Sequence, residues 1–252
     1  MTAKAVLVTG AAKRIGRAIA FDLAAHGYAV AVHYNRSDAD AREVVGHITA
    51  NAGRAAAIRG DLSDASVPER LIADATAAIG PLTALVNNAS IFEADTPDTV
   101  TADTWDRHLD INLRAPVLLS RYFAEALPGT STGAIVNVTD QRVLKPTPQF
   151  FSYAIGKEAL WSATRMLAQG LAPRVRVNAV APGPTIANVR QSPEDFRRQQ
   201  EAVILGHGPA VEEVAGAVRF LLEQPSVTGQ MLTVDGGQHL AWATPDIVGI
   251  KE

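Results

Sequence analysis

Tyr153 and Lys157 stand one helical turn apart, which puts both side chains on the same face of whatever helix carries them. A phenol is a weak acid, and a cation one turn away favours its phenolate. Such a pair can hand a proton to a group reacting beside it, or take one back. Alone, Tyr-x-x-x-Lys is common in any helix and is more often structural. A second constellation lies near the start of the chain, in Thr9-Gly10-Ala11-Ala12-Lys13-Arg14-Ile15-Gly16. Gly10 lets the chain turn sharply, small Ala11 and Ala12 keep bulk away from a diphosphate, and Gly16 permits a helix to pack closely on a strand. A helix opening at this point aims its free N–H groups at the phosphates. No Gly-Lys-Ser/Thr closes the loop, so it is not a Walker loop.

The elements that must position these groups alternate along the chain. Short apolar runs at Ala5–Thr9, Ala29–Tyr34, Ala55–Arg59, Ala84–Asn87, Ala134–Thr139, Val175–Val180 and Met231–Val234 read as strands. They are near-continuously apolar, as expected where helices cover both faces of a parallel sheet. Helical patterns fill the intervals, with Ile15, Ile19 and Leu23 at fours, and Val214, Val218 and Leu221 at fours and threes. Ser66 with Glu69 has capping-box spacing, and Gly27, Gly53 and Gly80 stand where left-handed terminators belong. The rhythm predicts an α/β chain: a doubly wound, mostly parallel seven-stranded sheet of Rossmann type, as a single domain over 1–252. Two segments interrupt it. Residues 140–152 form a long connection after a strand, and residues 184–209 look like a lid, with a variable surface excursion as the blander alternative. Both would lie beyond the carboxyl ends of strands, where open α/β sheets bind ligands.

The second strand bears on the choice of dinucleotide. An NAD site usually ends this strand with an acid for the ribose 2′-hydroxyl, but here it ends His33-Tyr34-Asn35-Arg36-Ser37. Arg36 and Ser37 offer a guanidinium fork and a hydroxyl to a 2′-phosphate, which favours NADP(H); otherwise Arg36 is a solvated charge at a strand end. Asp61 and Leu62 could hold the adenine, and Asn88, Ala89 and Ser90 could line the inner face of the cofactor. With 23 basic and 26 acidic residues, a net charge of −3 and no basic stripe, a nucleic-acid footprint is missing. The absence of cysteine excludes a disulfide scaffold, an iron–sulfur site and thiolate-bound zinc. The six histidines show no paired helical spacing, so no metal site is expected. No apolar run is long enough for a membrane span or a signal-peptide core, which predicts a soluble, cytoplasmic protein. Gly129-Thr-Ser-Thr-Gly133 spells a nucleophile elbow, but it precedes a strand instead of following one and reads as a loop.

Taken in order, the Thr9–Gly16 loop, Asn87-Asn88-Ala89, Asn112, Tyr153-Ala-Ile-Gly-Lys157 and Pro182-Gly183 resemble the short-chain dehydrogenase/reductase family from about residue 3 to Gly237. The resemblance implies a reductase in which Tyr153 is the proton donor and Lys157 tunes it and reaches the nicotinamide ribose. Asn112 would hold a relaying water, though by its residue type it could equally be a helix-kinking polar group. Pro182, Gly183 and Thr185 join the implied cofactor set. The chain departs from the family pattern where serine usually stands and it has Asp140, where glycine is common and it has Arg14, and in reading Asn-Asn-Ala-Ser. With Lys13 and His33-Tyr34-x-Arg36-Ser37, these departures resemble the pteridine reductases and related dihydromonapterin and dihydrofolate reductases. That branch implies that Asp140 works with Tyr153 as proton source and that Arg14 meets pyrophosphate and pterin. Ser90 would lie at the substrate, and Phe92 would stack on the ring. Phe92 as core packing and Asp140 as a loop cap are the plain alternatives. The alternative substrate is a ketone such as a 3-oxoacyl group, and a non-catalytic NADP(H) sensor is the rival from another class. The family usually forms tetramers, and the apolar Val227–Leu240 stretch fits a homotetramer.

Overall fold

The structure is a computed structural model and describes residues 4–244 and 248–249. Seven strands, β1 (Ala5–Val8), β2 (Ala29–Tyr34), β3 (Ala55–Arg59), β4 (Ala84–Asn87), β5 (Gly133–Val138), β6 (Val175–Pro182) and β7 (Met231–Val234), form one sheet in the order β3-β2-β1-β4-β5-β6-β7. Every pairing is parallel, so each strand ends at the same edge. The order reverses between β1 and β4, and the split there opens a crevice at the carboxyl edge.

Alternate side chains of each strand serve different faces. Val6 and Val8 of β1 join Ile19 and Leu23 of α1 (Arg14–Ala25) and Val214, Val218 and Leu221 of α8 (Val211–Glu223). Leu7 instead joins Leu71 of α3 (Val67–Ile79) and Leu119 and Phe123 of α5 (Ala115–Ala126) on the opposite face. Burial on both faces is why the strands read as unbroken apolar runs. α2 (Asp38–Ala50) follows β2. α4 (Ala102–Leu109) runs through a π turn (Asp110–Arg114) into α5, and Asn112 sits in that turn. α6 (Phe151–Gly170) carries Tyr153 and Lys157, as the four-residue spacing requires.

Two local expectations are corrected, and one irregular segment proves to hold an element. Ser66 has helical backbone angles and makes no cap bond; Asp64 instead accepts from its N–H at 2.8 Å and its hydroxyl at 2.7 Å. Gly27 and Gly80 terminate helices with positive φ, but at the end of α2 it is Ala52, not Gly53, that turns left-handed. Segment 184–209 contains a helix, α7 (Pro193–Glu201). Ser192 caps it by accepting the Asp195 N–H at 3.1 Å, and Pro193 stands at its start. Among the described residues no helix is long and apolar enough to cross a membrane, and no group of three metal-ligating side chains is assembled.

Candidate active site

The glycine loop is held from below by side chains. Thr9 Oγ1 accepts the N–H groups of Asn88 and Ala89, both at 2.9 Å, and Asn88 Nδ2 donates to the Thr9 carbonyl at 2.8 Å. β1 and β4 are thereby stapled across the split. Gly10 has φ +62°, and a Cβ there would sit 3.0 Å from Ala89 Cα; at Gly16 it would meet the Gly10 carbonyl at 2.3 Å. Both glycines are therefore required by geometry. α1 opens with no side-chain cap and no acid in its first turn, so its N–H groups and positive dipole end face the crevice. That end fits a diphosphate.

Arg14 adopts φ +55°, the left-handed conformation that glycine reaches without strain. Its guanidinium crosses to segment 184–209, donating to Ala187 O at 2.8 Å and Ile186 O at 3.0 Å. Lys13 pairs with Asp40 at 3.1 Å. His33, expected among the cofactor contacts, is buried. Its Nδ1 accepts the Gly10 N–H at 3.0 Å and its Nε2 meets Gly60 O at 3.2 Å. It shapes the loop from behind, as a neutral ring whose pKa burial pulls down to about 4.

A cleft of about 710 Å³ runs along the carboxyl edge. Its wall takes in Gly10, Lys13, Arg14, Ile15, Asn88, Ser90, Phe92, Asp140, Tyr153, Lys157, Pro182, Gly183 and Thr185. Beyond it, at the ends of β2 and β3, lie Tyr34, Arg36, Ser37, Asp61 and Leu62. Arg36 is exposed, and Tyr34 donates its hydroxyl to Asp38 at 2.6 Å. Asp61 accepts from the Ser63 hydroxyl at 2.7 Å, which with the Ser63 N–H holds its carboxyl below the ordinary range. Ala89 and Asn112 lie behind the wall. Asn112 is fully buried; its Oδ1 accepts from Ser90 Oγ at 3.1 Å and Ile91 N–H at 3.0 Å, and its Nδ2 donates to Ile91 O at 3.0 Å.

At the centre, Tyr153 donates its hydroxyl to Asp140 Oδ2 at 2.8 Å. Asp140 also caps the turn after β5 by accepting the Arg142 N–H at 2.9 Å, with the Arg142 guanidinium at 3.5 Å. Asp140 thus meets the turn through one carboxylate oxygen and the tyrosine through the other. Burial first, and then the Asp140 charge, push the Tyr153 phenol well above its ordinary value. Lys157 donates to Val138 O at 2.7 Å, and burial pulls its ammonium down to about 8.

Phe92 stands edge-on to Tyr153, with ring centroids 4.7 Å apart, and stacks on Phe150 at 4.0 Å and 11°. Phe150, the residue just before α6, has φ +56°. Arg142 lies 5.5 and 5.4 Å from these two ring centroids, and Arg190 lies 5.7 and 5.8 Å from them. Equal distances to two parallel rings place each cation beside the rims, where the ring edge is positive, so neither gains a face-on cation–π contact. Phe150, Gln141, Arg142 and Arg190 all line the cleft and none was singled out from the sequence. Their only signal was membership of the two segments that break the strand–helix rhythm.

Residues 4–197 match the short chain dehydrogenase family. Two solved structures of FolM alternative dihydrofolate reductase 1 with NADP are each 48% identical to this chain. That from Brucella canis has a TM-score of 0.94, covering 97% of both chains. That from Brucella suis has 0.95, covering 98% of this chain and all of the other. A 3-oxoacyl-[acyl-carrier-protein] reductase of Synechocystis sp. is 33% identical over 241 residues, 94% of this chain and 97% of the relative.

Proposed function

This chain belongs to the short-chain dehydrogenase family, and from that premise we propose that it reduces pteridine-type substrates of the dihydropterin and dihydrofolate class. It is an oxidoreductase whose cofactor is NADP(H). The uncapped first turn of α1 and the loop at Gly10 would hold the pyrophosphate, with Lys13 and Arg14 beside it. Arg36 and Ser37 would take the 2′-phosphate, Asp61 and Leu62 the adenine end, and Pro182, Gly183 and Thr185 the nicotinamide side. When bound, NADPH supplies the hydride, delivered to a ring carbon such as C6 of a dihydropterin.

The chain's own residues manage the proton. Tyr153 is kept as a neutral phenol by burial and by Asp140, which is the state a proton donor needs. As the proton leaves for the substrate nitrogen, phenolate and carboxylate stand side by side. The ammonium of Lys157 and the guanidinium of Arg142 offset that pair of charges. Phe92 offers a flat apolar wall to a heteroaromatic ring. Arg14 and Arg190 tie segment 184–209 to the two rims of the cleft, in keeping with a lid that excludes water. Homotetramer formation draws support from Phe220, Leu232, Leu240 and Trp242, exposed large apolar side chains on α8, on the edge strand β7 and just after it.

The observation that carries the substrate reading is the Tyr153–Asp140 hydrogen bond. A carboxylate is a poor neighbour for the oxyanion formed from a ketone, because like charges repel in a desolvated site. It suits an acceptor whose nitrogen takes the proton ahead of the hydride, because the carboxylate then faces an iminium cation. NADPH oxidation with dihydropterins and with 3-oxoacyl esters, by wild type and Asp140→Ser, tests this. We expect Asp140→Ser to lose at least about tenfold on the pterin, about 1.4 kcal/mol in barrier, while ketone turnover holds or rises. A wild type that reduces ketones well and pterins not at all would make the protein a carbonyl reductase, the activity its 3-oxoacyl relative is named for.

A further inference from the structure

Ile91, Phe92 and Glu93 lie between β4 and α4, where no ladder or helix holds the backbone. Each is suspended on a side chain from elsewhere. Asn112 takes both the N–H and the carbonyl of Ile91 at 3.0 Å. Arg190 donates to Phe92 O at 2.5 Å. His108, on α4, accepts the Glu93 N–H at its Nε2 at 3.1 Å.

His108 is fully buried and stands outside the Tyr153, Asp140 and Lys157 group. Its Nδ1 meets Ser152 Oγ at 2.7 Å, and that hydroxyl in turn donates to the carboxylate of buried Asp95, which also accepts the Ser152 N–H at 3.2 Å. One tautomer satisfies all of these contacts. Nε2 must be bare to accept from a backbone N–H, so Nδ1 carries the proton and the Ser152 oxygen receives it. Ser152 precedes Tyr153, and Glu93 follows Phe92. The run Asp95–Ser152–His108–Glu93 therefore joins the backbone beneath the proton donor to the backbone beneath the aromatic wall.

We propose that His108 is a positioning residue that mounts Phe92 against Tyr153, and that protonating it releases the mount and weakens substrate binding on the acid side. The inference rests on Phe92 being the substrate's wall. An imidazolium has no bare nitrogen, so a second N–H would confront the Glu93 N–H, donor against donor. Asp95 and Glu93 face the ring and favour its cation, as does the Thr104 carbonyl one turn earlier. Burial, the largest influence, and Arg107 on the same helix oppose the cation, and the balance holds His108 below the ordinary imidazole range. From the neighbouring elements, Arg190 lies against Glu93 at 3.4 Å, and the Tyr153 ring stands edge-on to His108 at 6.1 Å. The other two anchors, an amide and a guanidinium, do not titrate near neutrality. His108 alone among the three makes the mount sensitive to pH.

The test measures KM, kcat and NADPH affinity across about pH 5–8 for wild type, His108→Gln and His108→Leu. A glutamine amide offers an acceptor and a donor but takes no proton. We expect wild-type KM for the best substrate to rise by about fivefold or more toward acid, with kcat and NADPH affinity changing much less. His108→Gln should flatten that rise, whatever its KM at neutral pH, and His108→Leu should show a raised KM throughout. A wild type without the acid-side rise, or a glutamine variant that keeps it, overturns the proposal, as does a leucine variant with wild-type KM. If the leucine variant fails to fold, the glutamine comparison still decides. If dihydropterins are not reduced at all, the substrate reading falls, while the same comparison on the ketone reduced best still decides the role of His108.

Discussion

The phenol of Tyr153 donates to a carboxylate, and the residue's part in turnover follows from that single contact. Tyr153→Phe keeps the ring against Phe92 and removes only the proton. Turnover should fall about 10²–10⁴-fold while NADPH binding, read by fluorescence, is retained. Arg14 carries a different tension. Its left-handed backbone costs on the order of 1 kcal/mol, and its side chain recovers two hydrogen bonds to segment 184–209. Arg14→Gly should hold or raise Tm by relieving that strain, yet raise the KM for NADPH several-fold as the segment loses its anchor. A fall in both Tm and cofactor affinity would instead mean that the guanidinium outweighs the strain. Tyr153 and Lys157 were legible as a pair from their one-turn spacing, while Asp140 and Phe92 were legible only through the resemblance to the pteridine reductases. Phe150, Arg142 and Arg190 were not, since only the path of two irregular segments brings a rim of arginines to a pair of rings. His33 was legible as a neighbour of the cofactor site, but its burial against Gly10 and Gly60 is set by β2–β3 pairing, which no local pattern announces.

At the scale of elements, the strand–helix alternation was legible because each βαβ unit must bury an apolar strand on both faces. α7 was not, because it buries no side chain and so lacks an apolar stripe. Its signal was the start, Ser192-Pro193-Glu194-Asp195, where a hydroxyl cap, a proline in the first turn and two acids all favour a helix N-terminus. With no core contact to anchor it, α7 depends on that cap. Ser192→Ala should cost about 1 kcal/mol of local stability with little change in global Tm. Faster proteolytic nicking within 184–209, slowed again by NADPH, is the measurable outcome. At Ser66 and Gly53 residue type suggested a helix end that the chain's path does not use: Asp64 engages Ser66 without capping α3, and Ala52 takes the left-handed turn after α2.

For the molecule as a whole, acid stability should be governed in large part by His33. Its folded pKa of about 4 lies below the ordinary 6.5, so the unfolded chain takes up a proton that the folded chain refuses. The stability it contributes is complete above 6.5 and is lost as pH falls toward 4, up to about 3 kcal/mol at the lower end. Urea unfolding at stepped pH should show that slope, and a variant with an uncharged acceptor, His33→Gln, should lose much of it. The two faces of the sheet, the uncapped first turn of α1 and Lys157 on α6 make a rigid frame, with Tyr153 fixed to it through a long helix. The wall that meets the substrate is built differently: Phe92 hangs on side-chain hydrogen bonds from Asn112, His108 and Arg190, and Phe150 and Arg142 stand on a connection outside the ladder. Much of the wall can therefore drift while Tyr153, Lys157 and Asp140, which manage the proton, stay fixed. Changes of specificity in this lineage should concentrate at 91–94, 143–150 and 184–209 and leave unfolding free energy almost untouched, an arrangement under which one catalytic frame can acquire new substrates by small, separately tolerated steps.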